Sequence, residues 1–98
     1  MEFQFSFNHT LLSLVDLRAN GIRSIRQLEE AFYDPYAKLA ELTQEDDTIP
    51  IFVSYGFSNS MLPIKLVFSL DGEIIVTQFA AVLNRDEVKK FYCGNTIK

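Results

Sequence analysis

Few residues of this 98-residue chain can do chemistry, and their types narrow what that chemistry could be. There is one histidine, His9, and one cysteine, Cys93. One of each cannot build a conventional zinc site, which needs several nitrogen or sulfur ligands. Cys93 has no partner for an internal disulfide, which suits a reducing cytoplasm. The acidic triplet Glu45-Asp46-Asp47 lacks the spacing and the glycine of an EF-hand loop and reads as a solvated turn. Glycines are scattered and form no phosphate-cradling loop, so no cofactor is expected. Ser58 and Ser60 have no histidine beside them to activate a hydroxyl. Cations remain. Arg18, Arg23 and Arg26 have only Asp16 near them in sequence, and a local basic patch of this kind can meet a phosphate. A solvated helix rim is the plain alternative.

The charge distribution limits the partners. The formal net charge is −4. Between residues 29 and 47 stand Glu29, Glu30, Asp34, Glu41, Glu45, Asp46 and Asp47 against Lys38 alone. Attraction of the whole surface to nucleic acid is therefore not expected, since that binding rests on neutralising phosphates. Exposed aromatics could stack on single-stranded RNA. At their alternating spacings the phenylalanines read as core instead.

The elements that must position these side chains are organised around Ile64–Val82. Two apolar runs meet there at Asp71-Gly72, a hairpin signal that suits a type I′ turn. Val67 interrupts the polar face of the first run, and Ile75 and Phe79 that of the second. These are expected as central strands, with helices on one face and the other face at least partly covered. Phe3, Phe5 and Phe7 alternate as a half-buried strand. Asn8 is expected to cap a helix that buries Leu11, Leu14 and Val15, widened by Leu12 and Leu17, and ends at Asn20-Gly21. On that helix His9 lies about 180° around from Arg18 and reads as a surface residue at the N-terminal end. Ser24 and Gln27 open a second helix that buries Ile25, Leu28 and Phe32 and closes at Asp34-Pro35. Residues 36–44 suit an edge strand, although Ala, Leu and Glu also favour helix. Ile49–Phe57 is a strand with Ile51, Val53, Tyr55 and Phe57 on one face. Asn84 and Glu87 cap a last helix, lined by Val88, Phe91 and Tyr92 and ending at Gly94. The order is β-α-α-β-β-β-β-α in a single domain spanning 1–98, which implies the α+β class with an antiparallel sheet.

Five stretches in this order resemble the BrnT family of small bacterial toxins, ribonucleases with the RelE-like fold. They are Phe3-Gln4-Phe5, Leu17-Arg18-Ala19-Asn20-Gly21-Ile22, Phe32-Tyr33-Asp34-Pro35, Tyr55-Gly56-Phe57-Ser58, and the run from Arg85 through Glu87 to Tyr92. The departures fall where function would lie. Asn20 replaces the family's histidine and Ala19 its lysine. Val76, Ala81 and Val82 stand about where arginines are usual, and Ser69 where an aromatic residue or histidine often follows. Arg18 and Arg85 remain.

The resemblance implies a toxin of a toxin–antitoxin pair, a metal-independent RNA endonuclease with Arg18, Asn20 and Arg85 at its site and an antitoxin protein as partner. Such cleavage needs a base for the 2′-hydroxyl, a cation for the phosphorane and an acid for the leaving oxygen. Arg18 can supply charge, and Asn20 can orient a phosphate but cannot take a proton near neutral pH. A second reading is a non-catalytic interaction module on the same fold, its acidic Glu29–Asp47 segment facing a basic partner. A third is a homodimer through the edge strand 36–44. No segment is long and apolar enough to suggest a membrane span.

Overall fold

A computed structural model describes residues 5–42 and 49–92, with side chains to residue 90. In chain order the elements are β1 (Ser6–Asn8), α1 (Leu14–Ala19), α2 (Ile25–Phe32), β2 (Lys38–Glu41), β3 (Ile51–Phe57), β4 (Pro63–Asp71), β5 (Ile74–Val82) and α3 (Arg85–Tyr92). The α+β class and the element order match the expectation. The sheet, however, is mixed. Its strands lie in the order β1-β5-β4-β3-β2, and β1 runs parallel to β5 while the other neighbours are antiparallel. Strands so distant in sequence are not joined by a hairpin, so nothing in the connection forces them antiparallel.

Both faces of the sheet are covered. On one, Leu17, Ile22, Leu28 and Ala31 pack on Ile64, Leu66, Phe68, Ile75 and Ala80. Phe7 and Phe68 both meet Phe32 edge-on, an arrangement that aromatic quadrupoles favour. On the other face Val53, Tyr55 and Leu83 form a smaller cluster with Val67 and Val88, the last carried by α3. Asn84 and Glu87 cap α3 reciprocally, as expected: Asn84 Oδ1 accepts the Glu87 N–H at 2.8 Å and Glu87 Oε1 the Asn84 N–H at 2.9 Å. The edge strand expected within 36–44 is β2, and it is exposed along its length. The acidic turn at 45–47, Phe3, the side chains of Phe91 and Tyr92, Cys93 and the helix end at Gly94 lie outside the described residues.

The hairpin departs from expectation in turn and in phase. Asp71 pairs with Ile74, so the turn is Gly72-Glu73, and only Gly72 has a positive φ (63°). That suits a turn demanding the left-handed region at its first central residue rather than at both. Register shifts between Val67 and Phe68, whose partners are Phe79 and Thr77, leaving Gln78 as the extra residue of a bulge. Consequently Ile75, Thr77 and Ala80 share the helix-covered face and are buried, whereas Phe79 is exposed.

Helix α1 is shorter than its apolar spacing implies and turned the other way. Its cap is Ser13, not Asn8, whose side chain instead accepts the Thr10 N–H in a turn. Leu11 precedes the helix, and Leu14 and Val15 are 59% and 77% exposed. The helix is anchored at its other end. Gly21 has φ 89°, the Ile22 N–H donates to Leu17 O at 2.8 Å, and the Gly21 N–H donates to Arg18 O at 3.1 Å. This left-handed stop brings Leu17 and Ile22 together in the core. The expected stripe of Leu11, Leu14 and Val15 therefore faces outward.

Candidate functional site

The three residues that sequence reasoning nominates for catalysis lie near the end of β5. Arg18 is exposed on the last turn of α1 and shares a hollow of about 560 Å³ with Gly21, Ile22 and Arg23. Asn20 caps α1, and its carbonyl accepts the Val82 N–H at 2.9 Å. Arg85 is exposed at the start of α3. Among the described residues neither Arg18 nor Arg85 makes an ion pair. The described contacts bring no histidine to these three. Cation and amide are present, and the Asp16 carboxylate lines a small pocket together with Asn20.

His9 is occupied elsewhere, and it is not a surface residue. Its side chain is 13% exposed. Nδ1 lies 2.8 Å from Thr77 Oγ1, and Nε2 donates to Glu29 Oε2 at 2.9 Å. The ring stacks on Phe7 with centroids 5.5 Å apart. Thr77 Oγ1 also reaches Asn8 O at 3.2 Å. By composition this carboxylate–imidazole–hydroxyl chain has the members of a nucleophilic relay. Thr77, however, is 0% exposed, so no substrate reaches its oxygen. The chain of bonds is a polar rivet joining the segment after β1, strand β5 and helix α2. Helical phase misplaced His9 because residues 9–12 form a turn closed by the Leu12 N–H on His9 O.

A different surface has the form of a binding site. The end of α2 and the loop after β3 enclose an open cleft of about 840 Å³. Tyr33, Tyr36, Phe57 and Met61 contribute its apolar wall, and Glu29, Glu30 and Asp34 its acids, with Arg26 as the lining cation. Gly56 allows the two sides to approach. A Cβ there would fall within the van der Waals envelope of the Ala31 carbonyl oxygen and 3.2 Å from Ala37 Cβ. Asp34 then fastens the walls: Oδ2 accepts the Phe57 N–H at 2.8 Å and Oδ1 the Tyr36 N–H at 2.9 Å. Glu30 Oε1 accepts the Asn59 N–H at 3.0 Å, and the Tyr33 hydroxyl accepts the Phe5 N–H at 3.0 Å.

The loop itself is tight. Ser58 O accepts the Met61 N–H at 2.9 Å, and Ser58 Oγ accepts the Leu62 N–H at 3.2 Å. Met61 has φ 68°, the sole positive value at a non-glycine among the described residues, and it is 70% exposed. The left-handed region costs an L residue about 1–2 kcal/mol. Here that strain keeps a polarisable thioether at the mouth of the cleft.

Sequence reasoning named the acidic Glu29–Asp47 segment that supplies one side of this cleft, but not the cleft itself, although its other parts were visible. Asp34 and Gly56 belong to the stretches Phe32-Tyr33-Asp34-Pro35 and Tyr55-Gly56-Phe57-Ser58, and the Asp34–Phe57 hydrogen bond is where they meet. Among the described residues there is no cluster of histidine, cysteine and acids able to hold a metal, and no helix is long and apolar enough to cross a membrane. No protein-family model matches the chain, and no curated protein matches it.

Proposed function

We propose that this chain is a protein-interaction module of the toxin–antitoxin kind on a RelE-like frame, acting by binding a partner rather than by cutting RNA. The observation that carries the reading is the cleft between α2 and the β3–β4 loop, where exposed aromatics, a strained methionine and acids converge on one concave surface. Binding sites combine an apolar wall with a few placed polar groups in this way. Among the described residues no histidine joins the arginine surface, and the one histidine is bonded to Thr77 and Glu29. The BrnT resemblance supplies the kind of partner, a small antitoxin protein.

The test is co-expression with any small reading frame that adjoins its gene, followed by purification of the complex. Tyr36→Ala combined with Met61→Ala is expected to abolish co-purification, and Arg18→Ala to leave it intact. A complex indifferent to the cleft substitutions overturns the reading. A second reading, the endonuclease toxin, is favoured by one observation: Arg18 and Arg23 line the same hollow, whose paired cations suit a phosphate. It requires RNA cleavage that Arg18→Ala removes.

A further inference from the structure

We propose that the cleft recognises an arginine side chain of its partner, clamped between the tyrosines and the carboxylates of α2; this rests on the interaction reading above. The occupant follows from charge and shape. Among the described residues Glu29, Glu30 and Asp34 face the cleft against one cation, Arg26. Asp34 has both oxygens committed to backbone N–H groups. Glu29 and Glu30 are only partly committed. Glu29 Oε2 holds His9, and Glu30 Oε1 holds the Asn59 N–H. Among the described residues, Glu29 Oε1 has no partner, and Glu30 Oε2 has only the loose contact to Arg26 Nε at 3.7 Å. Arg26 is 86% exposed and Glu30 19%, and a contact this long to a solvent-facing guanidinium is weak and easily exchanged.

Carboxylates that line one cleft with Tyr33 and Tyr36 suit a planar guanidinium better than an ammonium. Guanidinium stacks on aromatic faces and presents several N–H groups in one plane, whereas lysine offers a compact charge. Phe57 and Met61 complete an apolar wall for the methylene stem and for a neighbouring aliphatic residue. In the free protein Arg26 partly fills the role that the incoming arginine takes over. The resident cation is thus a competitor, and removing it should strengthen binding.

The probe is the peptide acetyl-Leu-Arg-Arg-Leu-amide, with acetyl-Leu-Cit-Cit-Leu-amide (arginine replaced by its uncharged isostere citrulline) as control. Both are titrated into the full chain and followed by backbone amide chemical shifts. The arginine peptide is expected to shift the signals of Tyr33, Asp34, Tyr36, Asn59 and Met61, and the citrulline peptide to bind roughly tenfold more weakly. Glu29→Gln and Glu30→Gln each keep an acceptor for His9 or Asn59 and should weaken the arginine peptide about three- to tenfold. Arg26→Ala should strengthen it by about threefold, an effect that a general loss of structure would not produce. Equal binding of the two peptides, or indifference to Glu30→Gln, overturns the arginine assignment. Co-purification still decides the interaction reading separately.

Discussion

Gly56→Ala tests how the cleft is built. Residue 56 lies in β3 under the last turn of α2, and its φ is not in the left-handed region, so alanine is conformationally acceptable there. The objection is space. The added Cβ would collide with the Ala31 carbonyl oxygen and crowd Ala37 Cβ at 3.2 Å. A backbone carbonyl in a helix cannot rotate away, so α2 must lift as a unit. Overpacking of this kind costs about 1–3 kcal/mol, offset by about 0.4–1 kcal/mol from the lower entropy of the unfolded alanine chain. The net loss of about 1–2 kcal/mol corresponds to a fall of about 5–15 °C in Tm for a domain of this size. Lifting α2 also pulls Asp34 from the Phe57 N–H, now 2.8 Å away. Thermal unfolding by circular dichroism measures the first effect, and amide shifts at Phe57 and Asn59 the second. Gly72→Ala is the control. Its Cβ meets nothing within 4 Å, so it should cost about 1 kcal/mol of backbone strain and leave the cleft signals in place. A Gly56→Ala protein with unchanged Tm and unchanged cleft signals would refute the close approach.

Other outcomes follow from the same geometry. Met61→Asn, better suited to the left-handed region, should raise stability by up to about 1 kcal/mol in urea unfolding while weakening partner binding. Leu17→Ala should destabilise by about 2–4 kcal/mol, because Leu17 packs on Ile22 and the sheet, whereas Val15→Ala should stay within about 0.5 kcal/mol. If the two proved equal in urea unfolding, the orientation of α1 would be wrong. Tyr55 adds a pH dependence. Burial, and then the negative charge of Glu87, raise its pKa above the ordinary 10.0. The unfolded chain therefore loses this proton first, so the contribution is complete below pH 10.0 and is lost as pH rises through the folded value. Tyr55→Phe should flatten that part of the stability curve, measured by urea unfolding across alkaline pH.

What was legible in the sequence was local. Ser24 and Asn84 cap their helices as their spacing to Gln27 and Glu87 suggests, although Gln27 reaches the Arg23 N–H rather than that of Ser24. The edge strand at Lys38–Glu41 was readable from its place between Pro35 and the acidic run Glu45-Asp46-Asp47. Phase was not legible where an irregularity intervened. A bulge at Gln78 transfers the core face from Phe79 to Ala80, and a turn at residues 9–12 removes Leu11 from the helix whose face it seemed to share. Neither leaves a periodic trace. The candidate site was harder still. Arg18, Asn20 and Arg85 could be named from spaced hallmarks, but the cleft arises only when Asp34 meets Phe57 across the chain. That pairing is tertiary. His9 shows the same limit, since its partners Glu29 and Thr77 are far from it in sequence.

The central claim is that this chain binds rather than cuts, and growth of a bacterial host under tight induction tests it most directly. Total RNA is examined alongside, with Arg18→Ala induced in parallel. The account predicts intact RNA in both cultures and no difference between them. RNA loss with growth arrest, both relieved by Arg18→Ala, would contradict it and establish a ribonuclease centred on the end of α1.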